Sequence, residues 1–295
     1  MVALDKILEI KNVSKNFKDF SLKNINFSLE KGYIMGFIGP NGAGKSTTIK
    51  LIMNLIKKDQ GEINIFGLDH ERHNLAIKQR IGFVYDENHF YEELTVSEMK
   101  GIISPFYARW DEAAFQQYAK DFRLPLKKQI KHMSKGMKMK FSLAIALSHH
   151  ADLLIMDEPT SGLDPLVRSE LLDVLQTLLE DENKSIFFST HITSDLEKVA
   201  DYITLINNGQ LVLSKTKDEL LEEYCIVKGS HDTLHAGGEG ILIGLKKNRF
   251  GFEGLSRHKR EVVQQFGDSV MIEKPTLEDI MVFSTGRSDQ DVPSY

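Results

Sequence analysis

Apolar and polar residues alternate over the first part of the chain, most clearly at Ile25, Phe27 and Leu29. A period of two is typical of half-buried strands, so residues 7–29 are predicted to form a small antiparallel sheet. A nearly continuous apolar run, "YIMGFIG", follows and predicts a strand that is buried on both faces. The apolar residues of "KSTTIKLIMNLI" then recur at helical spacing, so the pattern predicts a strand, a loop and a helix in that order.

Two later apolar runs also predict buried strands. They are "LLIMD", which ends at Asp157, and "SIFFSTH", which ends at His191, and helix-like segments follow both. These runs predict a mostly parallel sheet covered by helices. Between residues 92 and 150 the pattern is helical instead, and Asp111 and Ser134 are suitable N-caps. We therefore predict an α/β core with a helical insertion at about residues 92–150.

The pattern changes again after residue 216. Asn208-Gly209 between two alternating runs predicts a hairpin that closes the core, which we place at residues 1–216. Residues 217–295 contain the short strand candidates "GILIGL" and "SVMIEK", glycines at 237, 238 and 240, and a final helix capped by Thr276. We expect a small C-terminal α+β accessory domain there, with a frayed tail at "GRSDQDVPSY".

The composition is that of a globular protein, with 295 residues, 41% hydrophobic and 27% charged. A net charge of -5 offers no general reason to bind nucleic acid, and we expect no such partner. The single cysteine, Cys225, excludes an intramolecular disulfide and favours a reduced, cytosolic setting. No run of eighteen apolar residues and no secretory apolar region occur, so we expect neither a membrane span nor an export signal.

The segment "GPNGAGKST" carries the clearest chemical signal. Its glycines permit successive backbone N–H groups to surround phosphates, and the helix that follows adds its partial positive charge. Lys45 can reach the β- and γ-phosphates, and the Ser46 hydroxyl can bind Mg²⁺. The predicted nucleotide-binding residues are Gly39, Pro40, Asn41, Gly42, Ala43, Gly44, Lys45, Ser46 and Thr47.

Three polar residues follow the later buried strands, at the edge where open α/β sheets bind ligands. Asp157 can hold Mg²⁺ through water, and Glu158 is the candidate to orient the attacking water. His191 can donate a hydrogen bond to the γ-phosphate. An acidic pair after a strand is often a solvated turn or a helix cap, and a histidine there often satisfies a loop carbonyl. With the phosphate loop present we favour catalytic roles for Lys45, Glu158 and His191.

These segments together resemble the ATP-binding-cassette ATPases. "GPNGAGKST" is similar to their Walker A motif, "LLIMDE" to Walker B with its glutamate, "SGLD" to the D-loop, and His191 to the switch histidine. The order and spacing match over roughly residues 4–216. The resemblance implies a P-loop NTPase core that uses ATP and Mg²⁺, with Asp164 of the D-loop near the nucleotide. It also implies a second cassette, identical or different, because two cassettes close head to tail over two nucleotides in this family.

The resemblance assigns further residues and exposes two departures. Phe17 falls where the family stacks an aromatic ring on adenine, with Phe20 as the competitor. "MSKGM" occupies the place of the signature LSGGQ, so Ser134, Lys135 and Gly136 are expected to contact the nucleotide of the opposite subunit. Lys135 replaces a glycine of that motif. Asp86 stands where the family carries the Q-loop glutamine, and its carboxylate can approach Mg²⁺.

Three classes of function remain open. The first is a transport ATPase subunit of the bacterial bacitracin- and peptide-exporter type, held at the inner face of the membrane by a separate integral-membrane permease. The aromatic-rich stretch at residues 86–107 is similar to the groove that receives a permease helix, although some of its rings must pack in the core. The second is a soluble assembly or regulatory ATPase, and the third is a nucleotide-binding module that has lost hydrolysis. A single cassette with a short helical insertion favours transport.

Overall fold

The computed structural model describes residues 5–86, 89–234 and 239–286. The strands, in chain order, are β1 Lys6–Asn16, β2 Ser21–Glu30, β3 Ile34–Ile38, β4 Gln60–Ile65, β5 Leu68–Asp69, β6 Ile81–Val84, β7 Leu153–Asp157, β8 Ser185–Thr190, β9 Tyr202–Asn207, β10 Gln210–Thr216, β11 Cys225–Gly229, β12 Ile243–Asn248, β13 Gly251–Ser256 and β14 Val270–Glu273. The α-helices are α1 Lys45–Ile52, α2 Asn74–Lys78, α3 Val96–Ile103, α4 Glu112–Asp121, α5 Lys135–Ser148, α6 Pro165–Leu178, α7 Thr193–Val199, α8 Lys217–Glu223, α9 His231–Leu234, α10 Lys259–Phe266 and α11 Leu277–Thr285.

A six-stranded sheet forms the centre of the molecule, in the order β10-β9-β3-β8-β7-β6. The neighbours from β9 to β6 run parallel, and β10 returns antiparallel to β9. Every residue of β3 and β8 is buried, as the continuous apolar runs predict. The prediction of a mostly parallel sheet is confirmed.

The first part of the chain forms the antiparallel sheet β2-β1-β4-β5. Its inner face packs on the central sheet through aromatic rings, since Phe27 lies 5.5 Å from Phe37 and 5.7 Å from Phe187 between ring centroids. Ile49 and Ile52 of α1 belong to the same buried cluster. The cluster therefore fixes the start of α1, and with it the loop before α1, against the end of β3.

The helical insertion consists of α3, α4 and α5. Asp111 accepts a hydrogen bond from the Ala114 N–H, and Ser134 accepts one from the Met137 N–H, so both predicted N-caps are confirmed. Phe115 and Phe141 form the centre of its core. Because most of α5 is buried and α5 also packs on β6, the insertion is anchored to the central sheet.

The predicted hairpin after β9 is confirmed. Asn208 and Gly209 have φ angles of 47° and 73°, both in the left-handed region that a two-residue turn of this kind needs. A Cβ on Gly209 would also lie 1.9 Å from the Ser21 carbonyl oxygen. Only glycine fits there without a backbone shift.

The C-terminal part contains the antiparallel sheet β12-β13-β11-β14. The sequence predicted β12 and β14 but missed β11 and β13. Leu277 and Ile280 of α11 belong to the same buried cluster as Leu196 of α7, and the Leu277 N–H donates to Glu197 Oε1 at 2.9 Å. The described C-terminal residues thus share a core with the central domain, and the boundary at residue 216 stays a prediction.

Several predictions fall outside the described residues. They concern the glycines 237 and 238, the tail after residue 286, and Glu87 and Asn88 of the aromatic-rich stretch. Of the helices that the structure describes, none combines the length and the apolar character needed to cross a bilayer.

Candidate functional site

The strands β3, β7 and β8 end at one edge of the central sheet, where a cavity of about 440 Å³ opens. Parallel strands bring the segments after their carboxyl ends to the same edge, which explains why residues far apart in sequence meet here. The lining residues are Phe20, Asn41, Gly42, Gly44, Lys45, Ser46, Thr47, Asp86, Glu158, Ser161 and His191.

The loop between β3 and α1 depends on its glycines. A Cβ on Gly39 would lie 2.2 Å from the Ile206 carbonyl oxygen, and one on Gly44, where φ is 113°, would lie 2.6 Å from Leu22 Cδ2. Gly42 has a φ of 79°, and a Cβ there would meet no atom within 4 Å. Gly39 and Gly44 thus lie against the core, whereas Gly42 faces open space at the cavity.

Lys45, the first residue of α1, crosses this loop. Its Nζ donates to the carbonyl oxygens of Gly39 at 2.8 Å and Pro40 at 3.3 Å, and it lies 3.2 Å from Glu158 Oε1. Only 6% of the side chain is exposed. A buried ammonium beside the first turn of a helix makes this end of the cavity attractive to anions.

Glu158 connects the ends of β7 and β8. Its N–H donates to the Ser189 carbonyl oxygen at 3.0 Å, and its φ of 48° is left-handed, which is uncommon for a residue with a side chain. The carboxylate lies between Lys45 and His191, since Oε2 accepts from His191 Nδ1 at 2.8 Å and from the His191 N–H at 3.2 Å. The backbone is therefore held in a strained state that places this carboxylate in the cavity.

The predicted catalytic residues Lys45, Glu158 and His191 are brought together by these contacts. Asp157 lies next to them and accepts from Ser189 Oγ at 2.6 Å. The sequence reasoning missed Ser189, although its place two residues before His191 at the end of a buried strand is a usable signal. It also gave Ser161 of the cavity lining no role.

The predicted magnesium ligands Ser46, Asp86 and Asp157 are distributed around the cavity. Ser46 and Asp86 line it, and Asp157 ends β7. Within residues 5–86, 89–234 and 239–286, no three His, Cys, Asp or Glu side chains are grouped to hold a metal ion. These ligand roles stay predictions.

The residues of the signature and the D-loop have structural roles within the chain. Ser134 caps α5, and a Cβ on Gly136 would lie 2.8 Å from Val167 Cγ1. Asp164 caps α6 by accepting from the N–H groups of Leu166 and Val167. Ser134, Lys135, Gly136 and Asp164 do not line the cavity of their own chain, so contact with a nucleotide requires a second chain and stays a prediction.

Lys135 contacts Asp86, the other residue that differs from the family pattern. Its Nζ lies 2.6 Å from Asp86 Oδ1, so the two unexpected residues form an ion pair.

The aromatic residue at the cavity is Phe20. Its ring packs near Gly44, where Phe20 Cζ would lie 3.0 Å from an added Cβ. Phe17 is 46% exposed, lies 6.5 Å from Phe20 between ring centroids and does not line the cavity. The adenine contact of Phe17 stays a prediction, and Phe20 is the alternative that the geometry favours.

Comparison with known proteins agrees with the motifs. A family model described as ABC transporter matches residues 22–161. The bacitracin transport ATP-binding protein BcrA of Bacillus licheniformis is 36% identical over 194 residues, which are 65% of this chain and 63% of BcrA. The lantibiotic transport ATP-binding protein SrtF of Streptococcus pyogenes is 34% identical over 221 residues, which are 74% of this chain and 95% of SrtF. A solved structure of the ATP binding subunit of an ABC transporter superposes with a TM-score of 0.66 at 31% identity, covering 73% of this chain and 92% of that one.

Proposed function

The chain belongs to the ABC transporter family of ATP-binding proteins, and from this premise we propose that it hydrolyses ATP to drive a separate membrane-spanning permease. The observation that carries the proposal is the contact set around Glu158. Its carboxylate lies 3.2 Å from Lys45 and 2.8 Å from His191, although the three residues follow different strands.

The cavity suits a nucleoside triphosphate. Its volume of about 440 Å³ lies within the range of about 300–1,000 Å³ that is usual for small-molecule sites. Gly42 leaves room for phosphate oxygens, and the ammonium of Lys45 and the N-terminus of α1 supply positive charge.

Magnesium binding is part of the proposal. Magnesium is usually held by one or two carboxylates, waters and substrate phosphates rather than by a complete protein cage. The Ser46 hydroxyl in the cavity and the Asp157 carboxylate at the end of β7 fit that pattern. Magnesium bound there would offset the negative charge of the phosphates.

Glu158 is the residue that we propose to orient the attacking water. In the structure its two oxygens are occupied by Lys45 and His191. A triphosphate attracts Lys45, so its arrival would release Oε1 of Glu158 to accept a hydrogen bond from water. The hydrogen bond from His191 to the Glu158 carboxylate needs a proton on His191 Nδ1, so a neutral His191 carries its proton on that nitrogen.

Hydrolysis is tested by steady-state ATPase assays on the parent chain and on Glu158→Gln. Glutamine keeps the size of the side chain but is a poor base, so we expect kcat to fall by about 10²–10⁴-fold while ATP binding remains. The matched control is Glu222→Gln, at an exposed position in α8. Equal turnover in parent, Glu158→Gln and control would contradict the assignment of Glu158.

A second cassette completes the proposed site. Ser134 and Gly136 lie at the N-terminus of α5, whose unpaired N–H groups can face a phosphate across an interface. ATP bound between two such chains contacts both, so its cleavage removes contacts that favour the closed dimer. The pairing can be between identical or different chains.

We propose that the permease contacts a set of exposed apolar side chains, here called the docking surface, made of Leu75, Tyr91, Ile102 and Phe106. These side chains are 82%, 67%, 44% and 72% exposed. Gln79, which follows α2, links the end of this helix to the segment after α3, because its amide donates to the Phe106 carbonyl oxygen at 2.7 Å and accepts from the Ala108 N–H at 2.8 Å. Exposed apolar groups of this kind mark sites of protein interaction.

The docking surface is tested with Phe106→Asp. A carboxylate at its centre would have to be desolvated on docking, so we expect the variant to lose its association with membranes. Phe250→Asp is the matched control, since Phe250 is 78% exposed on the hairpin between β12 and β13. Equal membrane association of the two variants would contradict the location of the docking surface.

The proposal for the transported compound rests on the names of relatives alone. Two of them are named for bacitracin and lantibiotic transport, so we propose that the permease exports a drug, peptide or lipid-like compound. The chain would then be cytoplasmic and peripheral, held at the inner face of the membrane by the permease.

A further inference from the structure

Asp86 and Lys135 form an ion pair within one chain, with Lys135 Nζ 2.6 Å from Asp86 Oδ1. We propose that Asp86 competes for Lys135 with the phosphates of the nucleotide on the second cassette. The ion pair would then oppose closure of the dimer until ATP attracts the lysine away from Asp86. The inference rests on the proposed function because it requires two cassettes that close over ATP.

The pair links three parts of the site. Asp86 follows β6 and lines the nucleotide cavity, and Lys135 is the first residue of α5 in the helical insertion. Lys135 Nζ also lies 3.6 Å from the position of a Cβ on Gly162, in the segment that resembles the D-loop. Movement of Lys135 would therefore change contacts in the cavity, in the helical insertion and in the D-loop segment.

Without its partner, the charge of Asp86 or of Lys135 would be unfavourable at its position. A carboxylate at the rim of the cavity repels a triphosphate. A lysine in the first turn of a helix is repelled by the partial positive charge of the helix N-terminus, and no acidic residue occurs in the first turn of α5. The ion pair relieves both unfavourable interactions within one chain.

The ion pair is weak enough for Lys135 to leave Asp86 and bind another anion. The two side chains are 37% and 39% exposed, and an exposed ion pair changes an equilibrium by at most about fivefold. A triphosphate carries more negative charge than one carboxylate, and in the proposed dimer the nucleotide of the second chain would lie opposite the N-terminus of α5. Lys135 is therefore expected to leave Asp86 for the phosphates of the partner's nucleotide.

Substitutions at the two ends of this ion pair are expected to have opposite effects on dimerisation. The measurement is the dimer dissociation constant by analytical ultracentrifugation, in full-length Glu158→Gln with saturating MgATP. Asp86→Asn removes the competitor of the phosphates, so we expect dimerisation to tighten by about threefold. Lys135→Met removes the contact that forms on closure, so we expect dimerisation to weaken by about tenfold. In a Lys135→Met background, Asp86→Asn is expected to have no further effect.

A second ion pair of α5 supplies the matched control. Lys140 Nζ lies 2.5 Å from Glu170 Oε2 of α6, so it also ties the helical insertion to the core. Neither residue lines the nucleotide cavity. Lys140→Met and Glu170→Gln are expected to change the dimer constant equally and in the same direction, since neither competes with a phosphate.

The outcomes separate this inference from the function on which it rests. If Glu158→Gln itself stays monomeric and joins no other cassette in MgATP, the proposed function fails. If it dimerises but Asp86→Asn and Lys135→Met both weaken the dimer, the pair is only a structural link and the competition is refuted. An Asp86→Asn effect that persists without Lys135 refutes it as well.

Discussion

Replacing His149 with phenylalanine is expected to make the protein more resistant to acid. His149 follows α5, is fully buried and stacks on Tyr107 with ring centroids 3.8 Å apart and an angle of 7°. Burial, with smaller contributions from the nearby charges of Arg109 and His150, lowers the pKa of His149 to about 4. Phenylalanine can keep the stacking and the burial, but it cannot take up a proton.

The expected magnitude follows from the difference between the folded and unfolded states. The pKa of an unfolded histidine is near 6.5. Below that pH His149 binds a proton in the unfolded chain but stays neutral in the folded chain until the pH approaches its lower pKa. Stability is thus complete above about pH 6.5 and is lost as the pH falls from there towards the folded pKa. At pH 5 a folded pKa of about 4 corresponds to a loss of about 2 kcal/mol in the free energy of unfolding.

Urea unfolding followed by tryptophan fluorescence measures this loss. Trp110 is the single tryptophan, and its backbone N–H donates to the carbonyl oxygen of Tyr107, on which His149 stacks, at 3.1 Å, so it reports on the region around His149. Between pH 7 and pH 5, the parent should lose about 2 kcal/mol more than His149→Phe. His132→Gln is the control, since His132 is exposed and is not one of the groups that shift His149, and it should follow the parent. Equal losses in parent and His149→Phe would show that protonation of His149 does not cause the acid sensitivity.

Two further predictions concern the loop and the shared core. Gly39→Ala should abolish ATP binding, because the new Cβ would lie 2.2 Å from the Ile206 carbonyl oxygen and must displace the loop. Its control is Gly101→Ala, in α3 with open space around the Cβ, which should bind ATP normally and gain about 1 kcal/mol of stability. Leu277→Ala should destabilise the whole chain by about 2–5 kcal/mol, because Leu277 is fully buried. Trp110 fluorescence should report this loss in urea, since the C-terminal residues share the central core.

Specific results would contradict these two predictions. Normal ATP affinity in Gly39→Ala, measured by equilibrium binding, would show that the loop tolerates the side chain. An unchanged Trp110 transition in Leu277→Ala would show that the C-terminal part unfolds independently of the domain that contains Trp110.

Local signals made much of the fold predictable. The caps Asp111, Ser134 and Thr276 depend on a few neighbouring residues, and the structure has all three. The turn at Asn208 likewise depends on backbone conformations that few residues accept. These features need no information about distant parts of the chain.

Long-range contacts were not predictable in the same way. The pairing of Asp86 with Lys135 joins residues 49 positions apart, and the sequence reasoning treated them as separate departures. The shared core was missed because β11 and β13 are short and contain glycines that weaken a strand pattern. The choice between Phe17 and Phe20 also depends on how the chain turns before β2, which periodicity does not specify.

The candidate site lies between these two cases. The identities of Lys45, Glu158 and His191 were predictable because each follows a recognisable strand. Their mutual distances depend on strand order, since β3, β8 and β7 are adjacent in the sheet but not consecutive in the chain. The contacts of Glu158 with Lys45 and His191 could therefore not be predicted from the sequence.

The most direct test of the central claim is the identity of the proteins that accompany this chain in membranes. Tagged Glu158→Gln would be purified in detergent from native membranes with MgATP, and its partners identified by mass spectrometry. The account predicts a stoichiometric polytopic membrane protein together with a second cassette, and the loss of the membrane protein in Phe106→Asp. Recovery of only soluble partners, in a preparation that keeps other transporters intact, would contradict the claim that this ATPase drives a permease.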